Sequence, residues 1–200
     1  MTGPGYAFFE TAIGRCGIAW SGEGISATAL PGDPPARLRR KLARRSPAAI
    51  RSAAPPPPVA AVIADIQALL AGEPRDLSTA RLDLSGASDF HRRAWTAARA
   101  IPPGETATYG EIAARLGEKG AARAVGAAMA ANPFPIIVPC HRVIAAGGAI
   151  GGFSAPGGVS TKARMLAIEQ ARIGNAPSLF SDLPLALKGA EPERPGASRT

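Results

Sequence analysis

Apolar residues alternate early in the chain and recur at helical spacing later, and the change of period divides it near residue 85. Phe8-Phe9-Glu10-Thr11 and Gly17-Ile18-Ala19-Trp20 read as strands. Ser21 to Gly24 supplies a turn before Ile25 to Leu30, so residues 6–30 predict a β-hairpin or meander. Pro31 to Pro35 breaks the chain. Arg37 to Arg45 carries Leu38 and Leu42 at i, i+4 and predicts a short surface helix with a solvated charged face. Pro55 to Pro58 predicts a stiff spacer. Val59 to Ala71 places Val59, Val62, Ile63, Ile66 and Leu70 on one helical face, and Gly72 and Pro74 end it. Arg81-Leu82-Asp83-Leu84 alternates and predicts one more strand. A unit of sheet plus helix, residues 1–85, closes at Ser85-Gly86.

From residue 86 the pattern is helical. Ser88 is a good N-cap for residues 89–100, with Phe90, Ala94, Trp95 and Ala98 inward. Pro102-Pro103-Gly104 breaks that helix. Thr108 and Glu111 form a capping-box signature for a helix from Tyr109 to about Leu116, which Gly117 closes. A second helix is predicted over 121–131, with Asn132 in the left-handed cap position. Two short helices about a glycine-containing turn match a helix-turn-helix. Pro133 to Pro139 predicts an extended buried segment that delivers Cys140. Gly147 to Gly152 predicts a flexible loop, and residues 160–172 a last helix with Glu169 near its end. Residues 173–200 are rich in Pro, Ser, Gly and charge and predict a mostly disordered tail, with Leu179-Phe180 and Leu183-Pro184-Leu185 as docking points. The fold class is therefore α+β, with a small N-terminal antiparallel sheet and a mainly helical remainder.

Composition narrows the function. The chain has 200 residues, 46% of them hydrophobic, which supports a packed core. No apolar run approaches the roughly 18 residues of a membrane helix, so no membrane partner is expected. Met1 to Gly5 has neither a basic nor an apolar leader, so no secretory signal is expected. Two cysteines exclude a disulfide framework and predict a reduced, cytoplasmic protein. The net charge of +8 favours an acidic partner, of which nucleic acid is the commonest. Cys16, Cys140, His91 and His141 lack the paired spacing of a zinc site, and no phosphate-loop or dinucleotide fingerprint is present. No metal and no cofactor are expected.

The candidate chemistry sits in Pro139-Cys140-His141-Arg142. A thiol of ordinary pKa, about 8.5, is mostly protonated at neutral pH and needs a base. His141 can take the proton directly or through one water. A carboxylate would hold the imidazole in the right tautomer, and Glu169 and Glu111 are both candidates. The competing reading of Cys140 is an inert core thiol, which is also the reading of Cys16 in the hairpin.

Ile136-Ile137-Val138-Pro139-Cys140-His141-Arg142-Val143-Ile144 resembles the signature of the O6-alkylguanine-DNA alkyltransferases, the methylated-DNA–protein-cysteine methyltransferases. Phe90, Trp95, Ile101-Pro102-Pro103-Gly104-Glu105-Thr106, Tyr109-Gly110-Glu111-Ile112-Ala113, Arg123-Ala124-Val125-Gly126, Asn132-Pro133 and Lys162 to Glu169 fall in the same order and spacing. The likeness is strong over 83–172 and weaker over 6–82. It implies a ribonuclease-H-like N-terminal domain (1–85), an alkyltransferase domain with a helix-turn-helix (86–172) and a tail (173–200). It implies a single-turnover methyltransferase in which Cys140 takes the alkyl group from O6-alkylguanine, with O4-alkylthymine as a second candidate lesion. His141 would deprotonate Cys140 through a water, Glu169 would orient His141, and Asn132 would brace the turn before the thiol. Tyr109 would help rotate the nucleotide and assist the leaving guanine. Arg123 would enter the duplex, with Ala124, Gly126 and Ala127 beside it in the minor groove. Met129, Val143, Phe153, Ser154 and Lys162 would form the base pocket. The implied partner is double-stranded DNA carrying the lesion, met by a monomer. The loop from Phe153 to Gly158 is two residues longer than in many relatives, which bears on substrate breadth. The alternative from another class is a lesion-binding or regulatory DNA module that retains the thiol without transfer.

Overall fold

The computed structural model describes residues 3–172. The expected tail at 173–200 lies outside the described residues. Three strands, β1 (Gly5–Thr11), β2 (Gly14–Trp20) and β3 (Ile25–Ala29), form the meander, with Phe9 opposite Cys16 and Ala19 opposite Ala27. Helix α1 (Pro35–Ala43) follows, then a two-residue strand β4 (Ile50–Arg51) and α2 (Pro57–Leu70). The sheet order is β3-β2-β1-β4. Because β4 runs parallel to β1, the sheet is mixed rather than antiparallel. Its two residues are exposed and too few to show a period, so the pattern could not reveal it.

The sheet is covered on both faces, which explains the unbroken burial along most of β2 and all of β3. Tyr6, Ala19, Ala27 and Ala29 face Leu38 and Leu42 of α1. A Cβ at Gly17 would come 2.8 Å from Leu42 Cδ1, so α1 lies close on that face. Cys16, Ile18 and Trp20 enter the main core instead, with Ile66 and Leu70 of α2. Cys16 is fully buried, and burial pushes its thiol up to about 11.

Helix α2 starts at Pro57, two residues before the predicted position. Pro57 and Pro58 form its first turn rather than a spacer, because a fixed φ and a missing N–H suit that position. Residues 81–84 are not a strand. Leu82 makes a single bridge to Ile25, and the carboxylate of Asp83 then accepts from Ser21 Oγ at 2.7 Å and Ser85 N at 3.0 Å, which turns the chain away.

Helix α3 (Asp89–Arg99) is capped by Ser88, whose hydroxyl accepts from His91 N. Strand β5 (Ala107–Thr108) pairs in parallel with β6 (Val143–Ile144), and α4 (Tyr109–Arg115) and α5 (Ala122–Ala130) stand between them in the chain. Trp95 of α3 packs edge-on against Phe134 and donates from Nε1 to Ala128 O at 2.9 Å. Helix α6 (Gly158–Ile168) begins two residues before the predicted 160–172 and ends earlier, with Glu169 as its C-cap. The main core holds Ile18 and Ile66 together with Ile112, Val125, Val138 and Met165. Thr28 of β3 donates from N to Pro133 O at 2.9 Å and from Oγ1 to Pro135 O at 2.6 Å.

Candidate active site

Two helix termini and one tight turn converge on Cys140. Thr108 opens α4 with a reciprocal capping box: its hydroxyl accepts from Glu111 N at 3.1 Å, and Glu111 Oε2 accepts from Thr108 N at 2.6 Å. Hydrogen bonds from Thr108 hold the Glu111 carboxyl below its ordinary range. Glu111 is thereby occupied as a cap. Tyr109, the first residue of α4, is half-buried. Its ring lies close to Gly126 of α5 on one side and Gly151 on the other, each near enough that an added Cβ would touch it.

Along α5, Val125, Ala128 and Met129 are buried, while Arg123, Ala124 and Ala127 are exposed. Ala131 caps the helix in right-handed conformation, so Asn132 does not take the left-handed position. Its side chain is used instead. Nδ2 donates to Val138 O at 2.9 Å, and Oδ1 accepts from Phe134 N at 2.8 Å. The segment before the thiol is a turn rather than an extended run. Ile136 has φ +79°, and Val138 N donates to Phe134 O at 2.8 Å. Asn132 and this turn fix Val138, from which Cys140 starts a single 3-10 turn, Cys140–Arg142.

His141 and Glu169 meet at 2.9 Å through Nε2 and Oε1, with both side chains buried. Arg142 donates from Nε to Glu169 Oε2 at 2.8 Å, from Nη2 to Oε1 at 2.9 Å, and from Nη1 to Ile101 O at 2.7 Å. This two-oxygen clamp was not foreseen from sequence. The only hint was an arginine following histidine inside an apolar stretch. Burial opposes ionisation of Glu169, but His141 and Arg142 outweigh it and lower the carboxyl to about 2. Burial lowers the pKa of His141 against the pull of Glu169. A neutral imidazole beside a carboxylate that can only accept must carry its proton on Nε2. Nδ1 is then the free acceptor, and it has no hydrogen-bond partner among the described residues.

Cys140 is 7% exposed, enough for a cavity of about 340 Å³ to reach it. Tyr109, Gly126, Met129, Phe153 and Ser154 line that cavity with the thiol. Ser154 Oγ donates to Ala130 O at 3.4 Å, a contact between the Phe153 loop and the end of α5. Val143 and Lys162, expected in the same lining, lie behind it. Both are fully buried, and Lys162 Nζ donates to Val143 O at 2.6 Å, tying α6 to β6. Burial raises the pKa of Cys140, while the Asn132 side chain and Lys162 pull it back. Burial lowers Lys162 to about 8, with the neighbouring thiol opposing. Tyr109 is raised by burial and by the nearby thiol. The arrangement supplies a nucleophile, a neutral imidazole with a free nitrogen, an anion that orients it, and a buried cation that favours the thiolate. Among the described residues, no group of three His, Cys, Asp or Glu side chains comes together to hold a metal ion.

Comparison with known proteins places this geometry. Residues 89–171 match the family described as 6-O-methylguanine DNA methyltransferase, DNA binding domain. The methylated-DNA–protein-cysteine methyltransferase of Mycolicibacterium paratuberculosis is 46% identical over 121 residues, 60% of this chain and 71% of that one. The bifunctional transcriptional activator/DNA repair enzyme Ada of Escherichia coli is 39% identical over 161 residues, 80% of this chain and 44% of that one. The crystal structure of Mycobacterium tuberculosis OGT in complex with DNA superposes with a TM-score of 0.66 at 35% identity, covering 82% of this chain and 91% of that one. The chain belongs to the family of methylated-DNA–protein-cysteine methyltransferases.

Proposed function

We propose that this protein repairs DNA by moving the alkyl group of O6-alkylguanine onto Cys140, once per molecule. The observation that carries the reading is Cys140 in the wall of the cavity, followed in the chain by His141, which is buried and paired with Glu169. His141 Nδ1 takes the thiol proton through one bridging water, and Glu169 steadies the imidazolium that forms. The thiolate attacks the carbon on O6. The S–C bond forms as the C–O bond breaks, the electron pair goes to the guanine, and one proton returns to the base. The product thioether has no route back to the thiol.

The target atom is inside the base stack, so the nucleotide has to be turned out of the duplex. Helices α4 and α5 serve as a helix-turn-helix for this step. Exposed Arg123 fills the space the base leaves, and small Ala124, Gly126 and Ala127 let α5 enter the narrow minor groove. Tyr109 helps rotate the nucleotide and hydrogen-bonds the departing guanine, while Met129, Phe153 and Ser154 hold the base. Residues 86–172 form the alkyltransferase domain and 1–85 a ribonuclease-H-like domain that supports it. The protein acts as a monomer in the cytoplasm on double-stranded DNA.

The test is a mass measurement after incubation with a duplex oligonucleotide carrying O6-methylguanine. One added methyl on the Cys140 peptide, in proportion to lesion lost, is expected. An unmodified Cys140 with the lesion intact would overturn the reading and favour a module that binds lesions without transfer.

A further inference from the structure

A second opening reaches Cys140 from the side. It is a groove of about 570 Å³ that shares the thiol, Met129, Phe153 and Ser154 with the smaller cavity. Its far wall is β3 and the end of α1, where Lys41, Arg44 and Arg45 stand. Among the described residues, no acidic one lines it. The longer loop after Phe153 forms part of this groove and leans on the corner between β3 and α1: a Cβ at Gly32 would come 2.7 Å from Pro156 Cβ.

The three cations are not equivalent. Lys41 is paired with the largely buried carboxylate of Asp33 at 2.5 Å. Arg45 is spent on the carbonyls of Asp83 and Ser85 and on the Phe134 ring. Arg44 is exposed and has no carboxylate partner among the described residues. Among the described residues, a positive charge with no carboxylate beside it therefore stands on the wall of a groove that ends at the nucleophile.

In-line displacement gives this groove a use. Sulfur, the transferred carbon and O6 lie on one line, so anything longer than methyl on that carbon must leave sideways. Resting on the alkyl-transfer reading above, we infer that the side groove receives the substituent of larger O6 lesions and that Arg44 favours substituents ending in a carboxylate, as in O6-carboxymethylguanine. The electron and proton balance is that of methyl transfer: Cys140 ends as an S-carboxymethyl thioether and the base as guanine. Arg44 is a specificity-determining residue that meets the substituent, not the reacting atoms.

Three duplex oligonucleotides of one sequence test this, carrying O6-methyl-, O6-propyl- or O6-carboxymethylguanine, each followed in single turnover by the mass of the Cys140 peptide. In the unaltered protein carboxymethyl should transfer faster than propyl. Arg44→Glu should slow carboxymethyl about fivefold or more, the scale of one partly exposed charge contact reversed in sign, and leave methyl and propyl within about twofold. Equal slowing of all three would mean that Arg44 meets the DNA backbone, and the inference would fall. No carboxymethyl transfer by the unaltered protein, or no effect of Arg44→Glu, would also overturn it. Failure of the methyl substrate in the unaltered protein would instead strike the alkyl-transfer reading itself.

Discussion

His141 Nε2 lies 2.9 Å from Glu169 Oε1, and the next residue, Arg142, holds both oxygens of the same carboxylate. One buried anion thus has two neighbours with different tasks. Arg142 balances its charge and fixes its position, and His141 is oriented by it. Arg142 also reaches Ile101 O, which anchors the clamp to the segment after α3.

The clamp predicts acid sensitivity. Glu169 is lowered to about 2 in the fold, whereas an unfolded glutamate titrates near 4.3. Its stabilisation is complete above the unfolded value and is lost as pH falls toward 2, amounting to roughly 3 kcal/mol. His141 acts in the same direction. Its folded pKa is depressed, so the unfolded chain takes up that proton first as pH falls below about 6.5. Urea midpoints at pH 7, 5 and 3 should fall at each step, most steeply below 5. A flat profile would show that the clamp contributes little.

His141→Gln should separate the base from the fold. It removes the free Nδ1 while leaving a side chain that can donate to Glu169. Transfer to Cys140 at pH 7 should slow by about a hundredfold or more, the usual scale of a lost general base. The remaining rate should rise with pH, because burial holds the thiol in its protonated form. Single-turnover transfer from an O6-methylguanine duplex between pH 6 and 9 reads both effects. An unchanged rate at pH 7 would remove His141 from the proton path.

Much of this site follows from local rules. The capping box at Thr108 and Glu111, the Ser88 cap and the meander are short-range patterns, and the chain shows them directly. Chemistry alone left Glu111 and Glu169 equal as partners for His141. The capping box could have counted against Glu111, since its carboxylate is already used. What the pattern could not show is long-range. Strand β4 exists because Ile50 and Arg51 find the free edge of β1, not because of any period of their own. The family resemblance implies Lys162 in the base pocket, yet its side chain is fully buried, with its ammonium on the carbonyl of Val143 and 5.8 Å from the centre of the Tyr109 ring. The turn at Ile136 defeats the β-branched preference for strand because Asn132 and the Phe134 carbonyl hold it closed.

Asn132→Ala removes both side-chain hydrogen bonds to that turn and leaves the backbone bond from Val138 N to Phe134 O. A cost of about 1–3 kcal/mol is expected from leaving partly buried backbone groups without partners. Transfer should slow more than stability alone explains, because the position of Cys140 depends on Val138. Asn132→Asp keeps the acceptor for Phe134 N and loses the donor, so it should fall between the two. Urea unfolding alongside single-turnover rates makes the comparison, and equal rates in all three proteins would contradict the bracing role.

Lys162→Met should move stability and reactivity differently. The substitution removes a fully buried ammonium of similar length, so the release from desolvation offsets the lost bond to Val143 O and stability should shift by no more than about 1–2 kcal/mol. The charge that favours the Cys140 thiolate is gone, so alkylation at neutral pH should slow and its pH dependence should move upward. Iodoacetamide labelling of the Cys140 peptide across pH is the direct readout. Labelling that is unchanged would show that Lys162 is only a strut between α6 and β6.

Arg123→Ala tests whether α5 acts on the duplex rather than on the chemistry. The side chain is exposed at the start of α5, with no ion pair among the described residues, so its loss should leave the urea midpoint within about 0.5 kcal/mol of the parent. Cys140 and the His141–Glu169 pair are untouched, so reaction with free O6-benzylguanine should proceed at the parent rate. Repair of a duplex lesion requires the base to be held out of the stack, and the vacated space then has nothing in it. Unstacking costs a few kcal/mol, so losing the residue that compensates part of it should slow duplex repair by about tenfold or more. A lesion already in single-stranded DNA should be affected less. If the free base and the duplex slowed by the same factor, Arg123 would be acting on the reactivity of Cys140 and not on the extrusion of the nucleotide.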